Sequence, residues 1–202
     1  MSAKPFYLKI AHVIRIVSVP PVMVGILLVL LFTLRGEVFS STADMVVSML
    51  GLTVLPLLAY PASYLIPAIR EKDKASHGRE GQRSLAMYFS TVGYVSVFVY
   101  GLIAHAGVGL MHIYTGYLLS VIIILVSNKV FHVRVSGHAC SVSGPLVYSA
   151  YFLGVWGIVV GAVCWGLILW ASLVMKRHTF KEFLLGTLTC LVSFTVGWLI
   201  FH

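Results

Sequence analysis

Residues 139–175 carry no charged side chain, and the stretch is too long for a single membrane crossing. Uninterrupted apolar runs of about 18 or more residues mark transmembrane helices. Further apolar runs cover about residues 20–34, 45–69, 85–105, 110–127 and 179–201. Gly154, Gly157 and Gly161 sit in the middle of the long run, so it reads as two helices turning near 154–157. The expectation is an all-α, polytopic transmembrane bundle of six to seven spans, the count depending on whether the atypical first segment crosses. Pro56, Pro61 and Pro67 predict kinks in the second half of the second span.

Composition narrows the class. Hydrophobic residues make up 59% of the chain and charged residues 10%, which excludes an ordinary soluble domain. The runs are continuous rather than alternating, which argues against a β-barrel. No polar linker divides the chain, so residues 1–202 read as one integral-membrane domain. No signal-cleavage site is recognisable, so the first span is expected to be retained. Cys140, Cys164 and Cys190 lie in or beside apolar runs, without metal-ligand spacing or a disulfide framework. The net charge of +8 is explained by loop cations, and no nucleic-acid-binding motif is present.

Three polar segments interrupt the apolar runs, at 70–84, 128–138 and 176–182. Two spans separate each from the next, so all three fall on one membrane face. Of the 14 lysines and arginines, only Arg35 falls on the other face. The positive-inside rule puts the crowded face in the cytosol of a multi-pass protein of the cell membrane. His105 and His112 bracket a turn on the opposite side.

The crowded face gathers Lys72, Arg79, Ser136, Gly137, His138, His178 and Glu182. These residue types suit a phosphate ester. Lysine and arginine neutralise phosphoryl oxygens. Ser136 and the Gly137 amide can donate hydrogen bonds, and glycine permits close approach. One histidine can attack phosphorus while a second protonates the leaving oxygen. A carboxylate can hold the nucleophile's other ring nitrogen. No metal or cofactor is required.

Each residue also has a plainer reading. Thr179 and Glu182 fit a helix capping box. His138 can be a structural residue at a helix start. Lys72 and Arg79 can be solvated charges, the reading preferred for Arg70, Lys74 and Arg83. His132 reads as interfacial, and the tryptophans as packing and interface anchors.

The spacing of these residues resembles the type 2 phosphatidic acid phosphatase family, membrane relatives of the vanadium haloperoxidases. That family carries Lys, six residues, Arg-Pro; here Lys72 and Arg79 match and Glu80 replaces the proline. Its second motif is Pro-Ser-Gly-His, here Val135-Ser136-Gly137-His138. Its third is Ser-Arg, five residues, His, three residues, Asp. Here His178 and Glu182 match, with glutamate for aspartate, while Ala171 and Ser172 replace Ser-Arg. Arg134, Lys176 and Arg177 are the cations close enough in sequence to compensate for the missing arginine. The motifs cover about residues 72–186.

The resemblance implies that His178 is the nucleophile, Glu182 orients it and His138 is the general acid. It implies that Lys72, Arg79, Ser136 and the Gly137 amide bind phosphate. The expected partner, besides the bilayer, is a lipid phosphate such as phosphatidate, phosphatidylglycerol phosphate, or a polyprenyl phosphate or diphosphate. The alternative is a non-catalytic membrane protein that binds or translocates anionic lipid.

Overall fold

A computed structural model describes residues 5–75 and 80–202, with the side chains of Lys72 and Ala75 left out. Among the described residues the fold is entirely helical. Helix α1 (Phe6–Val17) leads into α2 (Pro20–Leu34) through a 59° bend. Pro20 and Pro21 force that bend: proline lacks the N–H that would continue α1, yet suits the first turn of a new helix. A 3₁₀ turn, Gly36–Val38, precedes α3 (Thr42–Met49).

Helix α3 runs through a π-helical segment, Leu50–Val54, into α4 (Leu55–Leu65). The widened turn lies directly ahead of Pro56, which cannot close the regular hydrogen-bond ladder. Gly51 in this segment and Gly93 on the next long helix touch backbone to backbone, and a Cβ on either would collide with the other helix. Pro67 ends α4 at Ile66, which is extended, and opens α5 (Pro67–Ala75).

The remaining helices are α6 (Glu80–Ile103), α7 (Val108–Lys129), α8 (Gly137–Leu153), α9 (Val155–Val174) and α10 (Phe180–Phe201). The break expected near 154–157 falls at Gly154, whose φ of +62° is a conformation that favours glycine. The polar segment expected over 70–84 is mostly helix, formed by the end of α5 and the first turn of α6.

Among the described residues, five helices are long and apolar enough to cross a membrane, counting the continuous run Thr42–Leu65 as one, and the bent α1–α2 pair can count as a sixth. Helix α8 has 17 residues and falls short of that length. Helix α7 is the central one, with 61% of its most apolar window buried. Leu110, Ile113 and Tyr114 of α7 and Leu27, Leu28 and Leu31 of α2 belong to one buried apolar cluster. A smaller cluster of Ala139, Val142, Ile168 and Phe183 joins α8, α9 and α10. The outer face of α9 stays apolar and exposed, with Val155, Trp156 and Val163 outward, as a lipid-facing surface requires.

Candidate active site

At one end of the bundle the starts of α2, α6, α8 and α10 meet the ends of α1, α7 and α9 around a cavity of about 420 Å³. Part of its wall is apolar, with Pro56, Met87, Val121 and Ile124 beside the hydroxyl-bearing Ser90, Tyr94 and Ser120. The lining also carries His138, His178 and Glu182 with Arg15, Arg83, Arg134 and Arg177.

The start of α8 is held from three sides. Asn128 Oδ1 accepts from Val135 N at 2.8 Å and fixes the extended approach. Ser136 N donates to the Glu182 carbonyl at 3.2 Å, tying α8 to α10. Ser136 Oγ accepts from Ala139 N at 3.1 Å, so this buried serine is the N-cap of α8. Accepting leaves its own hydroxyl proton to donate. Gly186 makes the junction possible, because a Cβ there would strike the Ser136 carbonyl and the first turn of α8. Gly137 differs: a Cβ there would meet nothing within 4 Å, although the residue lines the cavity. The fold does not require a glycine at that position.

The turn between α9 and α10 presents the second histidine. Lys176 adopts a left-handed φ of 51°, and Arg177 N donates to the Ser172 carbonyl at 3.1 Å. The chain thereby reverses and brings His178 beside His138. The two rings lie 6.3 Å apart between centroids and are within 8° of parallel.

Glu182 serves three neighbours at once. Its Oε2 accepts from Thr179 N at 3.2 Å, and Thr179 Oγ1 accepts from Glu182 N at 3.2 Å, completing the capping box. The same Oε2 lies 3.5 Å from His178 Nδ1, and Oε1 lies 3.3 Å from Arg134 Nε. The cap is hydrogen-bonded, whereas the imidazole is only at ion-pair distance and Nδ1 has no hydrogen bond. Capping and contact with His178 therefore coexist.

The His178 pKa is pushed below the usual imidazole value. Burial is the largest cause, opposed by Glu182 and reinforced by the charges of Arg83 and Arg134. That direction favours the neutral ring, which keeps a lone pair for chemistry.

Of Lys72 only the backbone, within α5, is described, and Arg79 lies outside the described residues. Their neighbours are anchored. Asp73 accepts from Gly81 N at 2.7 Å and from Gln82 N at 3.2 Å, so it joins α5 to the start of α6. Gln82 Nε2 in turn donates to Ser63 Oγ at 3.0 Å on α4.

Arg83, expected to be a solvated loop charge, is exposed in the first turn of α6 and also lines the cavity, close enough for its charge to act on His178. Arg134 and Arg177 also line the cavity, while Lys176 makes the turn. Arg15 and Asp73 are additions that no motif marks. His112, expected outside the site, is fully buried at the other end and surrounded by Tyr148, Tyr151, Phe194 and His202.

Among the described residues no cluster of three or more His, Cys, Asp or Glu side chains is arranged to hold a metal ion. Comparison of the chain with protein-family models, curated proteins and solved structures gives no match.

Proposed function

We propose that this protein is a membrane phosphatase that hydrolyses the phosphate monoester or diphosphate of a lipid through a phosphohistidine at His178. One juxtaposition carries the reading. Two nearly parallel imidazoles, His138 and His178, face a cavity lined by four arginines and one carboxylate. Among the described residues, that excess of positive charge suits a multiply charged anion.

The chemistry follows from the positions. With Nδ1 turned toward Glu182, Nε2 is the ring nitrogen of His178 left to attack phosphorus. The N–P bond forms as the bond from phosphorus to the lipid oxygen breaks. Burial and the neighbouring charges of His178 and Arg15 favour neutral His138 before substrate arrives. His138 takes up a proton as the anionic phosphate binds, and gives that proton to the departing oxygen. It then takes a proton from water, the water oxygen bonds to phosphorus, and the N–P bond breaks to release inorganic phosphate. Arginines and the amides at the start of α8 hold the phosphoryl oxygens throughout. The apolar side chains of the lining, Pro56, Met87, Val121 and Ile124, suit the first carbons of a lipid chain, whether of the phosphatidate or the polyprenyl type. The excess of cations at this end orients the cavity to the cytosol.

A second reading, binding or translocation of an anionic lipid without turnover, draws on two observations. Glu182 is divided among three partners, and a small buried serine stands at 172.

A phosphate-release assay separates the two. The purified protein, with chelator present, is expected to liberate inorganic phosphate from at least one of phosphatidate, phosphatidylglycerol phosphate and polyprenyl diphosphate. His178→Ala is expected to lower the rate by at least about three orders of magnitude. Full activity in that variant rules out the phosphohistidine, and absence of release from every lipid favours the binding reading.

A further inference from the structure

We propose that Arg15, at the end of the amphipathic helix α1, is an anion ligand of this cavity. The proposal rests on the phosphate-site reading above and assigns a specific residue to it. Helix α1 lies against α9, with Ala11 fully buried and Ile14 packed on the cluster of Ala139, Val142, Ile168 and Phe183. Phe6, Val13 and Val17 are exposed on the helix's outer side. This packing fixes which way Arg15 faces: it lines the cavity, near enough for its charge to act on the His138 ring.

Its burial sets it apart from the other described arginines of the lining. Arg15 is half-buried, whereas Arg83, Arg134 and Arg177 are exposed. A guanidinium close to an imidazole raises the positive potential of the cavity. A dianion entering there meets a planar fork of donors beside the two histidines. Directly after Arg15 the chain bends by 59°, and Pro20 and Pro21 form part of the same wall. On α9, the helix that carries α1, the cavity is lined by Ser172, small and 6% exposed, which leaves room for a guanidinium arriving from α1.

Binding of radiolabelled inorganic phosphate to the full-length protein in detergent tests this directly. Arg15→Ala is expected to weaken binding about tenfold or more, the loss typical of a charge-assisted hydrogen-bonding partner. Arg15→Lys, which keeps the charge and loses the fork, is expected to fall between. Adding Ser172→Arg to Arg15→Ala returns a guanidinium to the same wall and is expected to recover most of the affinity.

Thermal unfolding of each variant checks that it is folded; Arg15→Gln replaces Arg15→Ala if the latter is not. Binding within about twofold of wild type in a folded variant lacking the Arg15 charge overturns the proposal. So does a wild-type protein that does not bind phosphate saturably, and a double variant as weak as Arg15→Ala overturns the placement beside Ser172.

Lipid-phosphate turnover is measured on the same samples. Phosphate binding that depends on Arg15, without turnover, removes the phosphatase reading and leaves Arg15 standing. Turnover and binding that ignore Arg15 remove this inference alone.

Discussion

Two capping boxes at opposite ends of the bundle use the same local chemistry and end in different places. At one end Ser41 caps α3 and Asp44 answers it; at the other Thr179 caps α10 and Glu182 answers it. Asp44 is 3% exposed and closed in: Oδ2 accepts from Ser40 N at 2.8 Å and Ser41 N at 3.1 Å, and Oδ1 accepts from Tyr100 Oη at 2.9 Å. These three partners are neutral donors. Glu182 opens on a cavity instead, with a guanidinium at 3.3 Å and an imidazole at 3.5 Å. The box fixes the start of a helix in both places. What the acid can do beyond that is decided by what the rest of the fold brings to it.

The histidines repeat the contrast. His112 is fully buried, with Nε2 at 2.9 Å from the Phe194 carbonyl and aromatic rings around it, so no room is left for a ligand. His138 and His178 share open space. Buried polar groups that are fully surrounded specify packing, and those facing a cavity are available for chemistry.

The largest effect that sharpens the comparison is on stability. Asp44→Ala removes an N-cap partner and strands the Ser40 and Ser41 amides and the Tyr100 hydroxyl at the end of a helix pair. The expected loss is about 2–4 kcal/mol in detergent unfolding, with the rate per folded molecule unchanged. If unfolding is unaffected while turnover collapses, the two ends do not divide the labour as described.

The contrast also explains what could be read from the chain alone. Ser136-Gly137-His138 and His178-Glu182 are short-range patterns, and counting spans is enough to put them on one face. The Gly154 break is equally local. Arg15 was not legible, because its approach depends on a 59° bend and on α1 packing against a helix far along the sequence. Arg83 read as a solvated charge because a loop residue and a residue in the first turn of α6 have the same sequence signature. The brevity of α8 was hidden by the unbroken apolar run around it. Neither could the sequence reveal how one carboxylate is divided among a cap, an arginine and an imidazole, since that is a matter of tenths of an ångström.

Glu182→Gln tests the functional half of the pair, with a smaller expected effect. Glutamine at this helix position still completes a capping box, so stability is expected to change by less than about 0.5 kcal/mol. The turnover number is expected to fall about 10–100-fold, because the ring loses the charge that orients it and stabilises its cationic form. The pH profile adds a sign. Glu182 raises the His178 pKa against the larger effect of burial, so removing its charge moves the acid limb of the rate profile to lower pH. Arg134→Ala removes a cation that lowers the same pKa, and is expected to move that limb to higher pH. Shifts in the same direction for both variants contradict the assignment of His178 to that limb.

The smallest expected effect is at Gly137, and it separates a glycine kept for the fold from one kept for a ligand. At Gly186 a side chain would push α10 off α8, so Gly186→Ala is disruptive for structural reasons alone. At Gly137 the first residue of α8 has open space where a Cβ would go, and φ is not in the left-handed region. Alanine is the better helix former there, so Gly137→Ala is expected to leave stability unchanged or raise it by up to about 1 kcal/mol. If a phosphoryl group approaches the Gly137 amide, the added methyl stands in its way, and the KM for the lipid phosphate is expected to rise about three- to tenfold with little change in kcat. A Gly137→Ala protein with an unaltered KM would mean that the anion sits elsewhere in the cavity, nearer the exposed arginines than the start of α8.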